Sequence, residues 1–274
     1  HEHAHPGQSG MNSAALLVAG VAYCLATLFI LRGGLRSPRR HTEIVGMDAE
    51  GGFMAIASIG FAMWFFGPLY GLALILVVVI HEFGHVAAFR ICGHDDARFR
   101  LVPLMGGVAI SNQIPASQEK QFFISLMGPA IGIGPMILAF GLVPLAAQIS
   151  PMAANFLWIF GSVTGALNFF NMLPFWPLDG GKMIQILAYS FWPPLALALG
   201  TIMSAAFIVA AIGMQSVLLF FFALMGAQSL FHAGQVIQVQ RPMSRRRALL
   251  ATAAYFFTAA TLATGGLSLI MAYI

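Results

Sequence analysis

The sequence predicts an all-α polytopic membrane protein of about eight transmembrane helices. Three observations predict it. Hydrophobic residues make up 59% of the 274 positions and charged residues only 8%, against roughly 25% charged in a water-soluble domain. Apolar runs recur at the length of roughly 20 residues that a helix needs to cross a bilayer. The Lys and Arg residues gather at alternate boundaries of those runs.

Residues 1–10, "HEHAHPGQSG", form a polar tail with His1, His3 and His5, typical of a tag, a processing scar or a disordered end. The run 11–31 is too long for a signal-peptide core and lacks a clear cleavage site, so it is a retained helix. Further spans are expected near 52–66, 69–91, 121–147, an interrupted 152–190, 195–212, 216–239 and 248–272. Four parts follow: the tail 1–10, N-terminal helices with a basic loop over 11–66, a core over 67–192, and C-terminal helices over 193–274.

Arg32, Arg36, Arg39 and Arg40, then Arg90, Arg98, Arg100 and Lys120, then Lys182, then Arg241 and Arg245 to Arg247 mark one side, whereas the loops 67–68, 148–150 and 213–216 carry no charge. The positive-inside rule makes the basic side cytoplasmic and places both termini outside. The net charge of +4 is thus a topology signal and not a nucleic-acid footprint, since no one face collects it. Cys24 and Cys92 do not make a disulfide framework.

The stretch 77–89, "VVVIHEFGHVAAF", sets His81, Glu82 and His85 inside an apolar span. An ionisable group near a bilayer centre costs about 2.5–3.5 kcal/mol even on lenient scales, so three together need partners. On a helix, positions i and i+4 lie about 40° apart and about 6 Å along the axis, so the two imidazoles can reach one ion. Glu82 is then placed to exchange a proton with an ion-activated water. Arg90 puts this site toward the cytoplasmic side.

Residues 92–120 contain charges, prolines and Gly106-Gly107, which exclude a spanning helix. Apolar runs at 99–104 and 107–111 flanking the glycine pair fit a hairpin, either re-entrant or in an ordinary cytoplasmic loop. Catalytic zinc commonly takes three protein ligands. Among the acidic residues only Asp179 joins Glu82 in an apolar setting, within "NFFNMLPFWPLDGGKM" at 168–183. Pro174, Pro177 and Gly180-Gly181 break the helix there, as at many membrane sites. Asn171 offers an amide to a substrate carbonyl or a cap to the broken helix.

The motifs "HEFGH" at 81–85, "VPLMGGVA" at 102–109, "SLMGPA" at 125–130 and "NMLPFWPLDGG" at 171–181 resemble, in this order, the site-2 proteases, intramembrane zinc metalloproteases. The resemblance covers roughly residues 70–190. It implies one catalytic Zn2+ on His81, His85 and Asp179, Glu82 as general acid/base, and Asn171 holding or polarising the scissile region. It implies that the Gly106-Gly107 segment is the re-entrant element, and Gly128-Pro129 is read as helix packing. The implied partner is a transmembrane protein substrate in the lipid bilayer, including one pre-cleaved by another protease. A prokaryotic inner membrane is the expected location. Neither a PDZ nor a CBS domain is expected, because residues 92–120 are too short for the first and no soluble tail follows for the second.

A second reading uses the same His81, His85, Asp179 and Glu82 as the midplane site of a metal-ion or proton-coupled transporter. The sequence shows no internal repeat to support it. A zincin of another type would draw its third ligand from a Glu-bearing helix. A pseudoenzyme scaffold would lack a catalytic position, and none is missing.

Overall fold

The computed structural model describes residues 6–35, 49–102 and 106–272, with ten helices and two strands among them. The helices are α1 (Pro6–Leu35), α2 (Ala49–Phe66), α3 (Pro68–Ile91), α4 (Gln118–Ile131), α5 (Ile133–Ala147), α6 (Pro151–Asn171), α7 (Asp179–Phe191), α8 (Pro193–Gly213), α9 (Val217–Val239) and α10 (Arg245–Ala272). Strands β1 (Arg98–Val102) and β2 (Gly106–Ile110) lie between α3 and α4 and pair antiparallel, Arg98 opposite Ile110 and Val102 opposite Gly106.

Six helical stretches among the described residues are long and apolar enough to cross a membrane: Ser13–Leu35, Pro68–Ile91, Gln118–Ala147, Pro151–Asn171, Pro193–Gly213 and Arg245–Met271. The chain is a multi-pass membrane protein. The count falls short of the expected eight at two places. The described apolar part of α2 is Ile56–Phe66, too short to cross, and many side chains of α9 lie outside the described residues. Large apolar side chains face outward, among them Val18, Leu25, Trp64, Ile202 and Phe257. In water such a surface would be an association site, but in a bilayer it meets its own kind.

Three expectations shift in detail. Helix α1 starts at Pro6 and so takes in half of the polar tail; His1, His3 and His5 lie outside the described residues, as do Arg36, Arg39 and Arg40. The glycine pair does not form the hairpin turn. Gly106 and Gly107 open β2 and pair with Val102 and Leu101. The apolar runs misled here because strand ends in a hairpin are set by cross-strand pairing, to which a glycine contributes as well as any residue. Finally, the expected span 121–147 is two helices meeting at Gly132.

The chain forms two compact, interleaved units. The first holds residues 1–112, 128–169 and 260–274, the second 113–127 and 170–259. In the first unit α1 packs along α5 and α3. A Cβ at Gly134 would lie 2.5 Å from Cys24 Sγ, one at Gly141 3.1 Å from the Leu17 side chain, and one at Gly20 2.7 Å from Leu138. Small residues let the helices approach this closely, the usual adhesive of helices in lipid.

Helix α3 starts with Pro68 at its first turn, where a missing N–H costs nothing. It ends in a Schellman turn: Gly93, at φ 94°, donates to Arg90 O and His94 N donates to Phe89 O, both at 3.0 Å. The reversed chain is then clasped to the far end of the hairpin. His94 Nδ1 lies 2.9 Å from Ser111 Oγ, Ser111 Oγ donates to Asp96 Oδ1 at 3.0 Å, and the Asn112 amide donates to Asp96 Oδ2 at 2.6 Å. These bonds, that from the Asn112 amide first, hold the Asp96 carboxyl below the usual carboxylate range.

In the second unit, fully buried Gln118 ties the start of α4 to the end of α9 and to the segment that follows it. Its Oε1 accepts from Met243 N at 2.9 Å and its Nε2 donates to Ile237 O at 3.4 Å.

Candidate metal centre

His81, Glu82 and His85 are all buried on α3, with 4%, 7% and 7% of their surface exposed. Valines and isoleucines precede them, so the helix is apolar on every side and the three polar groups depend on what packs against them. Helical spacing brings the two imidazoles together: His81 Nε2 and His85 Nε2 are 3.0 Å apart, with the rings edge-to-face. Two nitrogens bound to one tetrahedral zinc at about 2.0–2.1 Å would be separated by roughly 3.3 Å. The pair therefore fits that ion without rearrangement of the helix.

Two neighbours from the same unit shape this pair; sequence reasoning did not single out Asn168 and gave Gly128 a different role. His81 Nδ1 lies 2.7 Å from Oδ1 of Asn168, on α6. Gly128, on α4, faces the other ring, and a Cβ there would lie 2.2 Å from His85 Nε2. The pair Gly128-Pro129, expected to serve helix packing, thus makes room for an imidazole. A signal for Asn168 was present, since a buried amide in an apolar run needs a partner, but nothing local names that partner.

In the second unit, α6 ends at half-buried Asn171, and residues 172–178 run without regular helix to Asp179. The interruption expected from Pro174 and Pro177 lies here; the Trp176-Pro177 peptide is cis. The segment folds tightly over the first turn of α7. A Cβ at Gly180 would lie 2.1 Å from the Met172 carbonyl oxygen, and one at Gly181 2.5 Å from Phe175 backbone. Tyr255 of α10, itself buried, donates its hydroxyl to that same Met172 carbonyl.

Asp179 is the first residue of α7 and is buried, with 5% exposed. Its carboxylate sits where the positive end of the helix dipole favours negative charge, and Lys182 Nζ lies 3.1 Å from its Oδ1. Of the described residues, His81, His85 and Asp179 form the candidate ligand set for one metal ion. Two neutral imidazoles and one carboxylate are a donor set that zinc takes in hydrolytic sites.

An apolar cavity of about 320 Å³ flanks the histidine helix in the first unit, lined by Cys24, Thr27, Val79, Ile80, Phe83 and Pro135 among others.

Comparison with known proteins agrees with this chemistry. A peptidase M50B-like family model matches residues 53–173, the stretch that holds the first three motifs and the start of the fourth. Stage IV sporulation protein FB of Bacillus subtilis is 31% identical over 116 residues, 42% of this chain and 39% of that protein. A zinc metalloprotease of Methanocaldococcus jannaschii is 30% identical over 114 residues, 41% of this chain and 32% of that protein. The aligned stretch thus spans well under half the length of either relative. A solved site-2 protease from Methanocaldococcus jannaschii aligns with a TM-score of 0.41 at 19% identity, covering 66% of this chain and 86% of that one. Over the segment that carries its motifs, the chain is therefore similar to peptidase M50B-like proteins, among them zinc metalloproteases.

Proposed function

We propose that this protein is an intramembrane zinc endopeptidase that hydrolyses peptide bonds of transmembrane proteins within or near the cytoplasmic side of the membrane. The observation that carries the proposal is the pair of Nε2 atoms 3.0 Å apart on a buried apolar helix, with Glu82 between the two histidines in sequence. His81, His85 and Asp179 would hold the ion. When bound, zinc supplies Lewis-acid polarisation of the scissile carbonyl and an acidified water.

The chain's own groups do the rest. Glu82 accepts the proton of the attacking water and returns it to the leaving amine nitrogen. The Asn171 amide donates to the carbonyl oxygen and holds the scissile segment. A helical substrate hides its amides in its own hydrogen bonds and must unwind before attack. The hairpin β1–β2, read as re-entrant, offers an edge for the unwound stretch to pair with. Substrates with Gly, Pro or Asn near the cut unwind at least cost and should be preferred, including those already trimmed by another protease.

The basic boundaries support the cytoplasmic placement, with both termini outside. The transport reading finds no support in the relatives, which are proteases where their names state an activity. Co-expression of a candidate membrane substrate with wild type and with Glu82→Gln tests the assignment. Cleavage should fall by about 10²–10⁴-fold, the usual worth of a positioned acid/base. Equal cleavage by the two proteins would remove Glu82 from the chemistry.

A further inference from the structure

We infer that Asn168 is a positioning residue that fixes the tautomer and the orientation of His81, presenting Nε2 of that imidazole as the metal-binding atom. The inference rests on the metal-site reading above and adds to it a residue outside the four motifs.

The geometry leaves one assignment of the amide. Asn168 is buried, with 1% exposed, and its Nδ2 donates to the Thr164 carbonyl at 2.9 Å. A carbonyl only accepts, so the amide nitrogen must face Thr164 and the oxygen must face His81, whose Nδ1 lies 2.7 Å away. An amide oxygen also only accepts. His81 Nδ1 therefore carries the proton, and the Nε2 lone pair points toward His85 Nε2.

The support behind Asn168 is itself constrained. Thr164 is buried on the preceding turn of α6, and its hydroxyl donates to Phe160 O at 2.6 Å. On the other side, a Cβ at Gly132 would lie 2.8 Å from Asn168 Nδ2 and 3.0 Å from Thr164 Cγ2. The junction between α4 and α5 is thus shaped to admit the amide. Metal-bound histidines usually donate their second ring N–H to an oxygen, and loss of that partner typically weakens metal binding 10–100-fold. Here the oxygen is a neutral amide, which orients the ring without adding a further negative charge beside Glu82 and Asp179.

The test measures zinc affinity of the purified protein by chelator competition for wild type, Asn168→Leu and His81→Ala, beside 15N NMR of the metal-free wild type. The His81 signals are identified by their loss in His81→Gln. Asn168→Leu, close in volume and unable to accept, should bind zinc 10–100-fold more weakly, and His81 in wild type should carry its proton on Nδ1, a signature that packing alone would not set. Wild-type affinity in Asn168→Leu, or an Nε2-protonated His81 in wild type, would overturn the inference while leaving the metal site standing. Undiminished zinc binding by His81→Ala would instead overturn the metal-site reading itself. The NMR measurement uses wild type, so it decides the matter even where the leucine variant fails to fold.

Discussion

Gly128 has no side chain where His85 has its ring: a Cβ on Gly128 would come within 2.2 Å of His85 Nε2, 2.4 Å of Cε1 and 2.8 Å of Cδ2. The obstructed atoms are the far end of a side chain, so an added methyl pushes the imidazole aside and leaves the backbone in place. Gly128→Ala should therefore fold, lose zinc affinity by at least tenfold and lose proteolysis with it. Metal content of the purified variant checks this, and an alanine protein with full zinc and activity would contradict it.

The opposite behaviour is expected at Gly180, because what a Cβ meets there is the carbonyl oxygens of Met172 and Leu173 at 2.1 and 2.3 Å. Backbone cannot yield as a ring can. Gly180→Ala should cost about 1–3 kcal/mol, the range for overpacking a filled site, read as a lower midpoint in thermal unfolding in detergent.

Metal analysis of Asp179→Ala against wild type bears on the proposed third ligand. The variant should purify with its zinc largely gone, since two imidazoles alone make an incomplete catalytic set. Full retention would mean that the third ligand comes from elsewhere. Tyr255→Phe should have a milder effect, about 1–3 kcal/mol of stability for leaving the buried Met172 carbonyl without its donor.

The clasp at the end of α3 predicts a pH dependence. Asp96 has a folded pKa below its unfolded value, so its contribution is fully present above the unfolded pKa and is lost as pH falls through the lower, folded one. Asp96→Asn should flatten the loss of stability on the acid side, below about pH 4, while changing the slope near neutrality little. Unfolding midpoints measured across pH for both proteins decide it.

How much of this was legible in advance depended on distance along the chain. His81, Glu82 and His85 announce themselves because helical periodicity alone brings i and i+4 together. The break before Asp179 was visible because proline acts on its own backbone. The partnership of Asn168 with His81 spans 87 residues, and the space at Gly128 is defined by a ring 43 positions earlier in the numbering; no local pattern encodes either. Six spans qualify among the described residues where hydropathy suggests eight, because only Ile56–Phe66 of α2 is described in full and many α9 side chains lie outside the described residues.

The close seam between α1 and α5 limits how α1 can move. Leu17 and Cys24 seat against Gly141 and Gly134, and Leu138 seats against Gly20. A slide of one residue, about 1.5 Å along the axis, would drive all three side chains out of their notches together. Tilting away from α5 releases them one after another, like a zip opened from one end. Since Cys24 and Thr27 also line the cavity beside the histidine helix, a swing of α1 would widen that cavity as well.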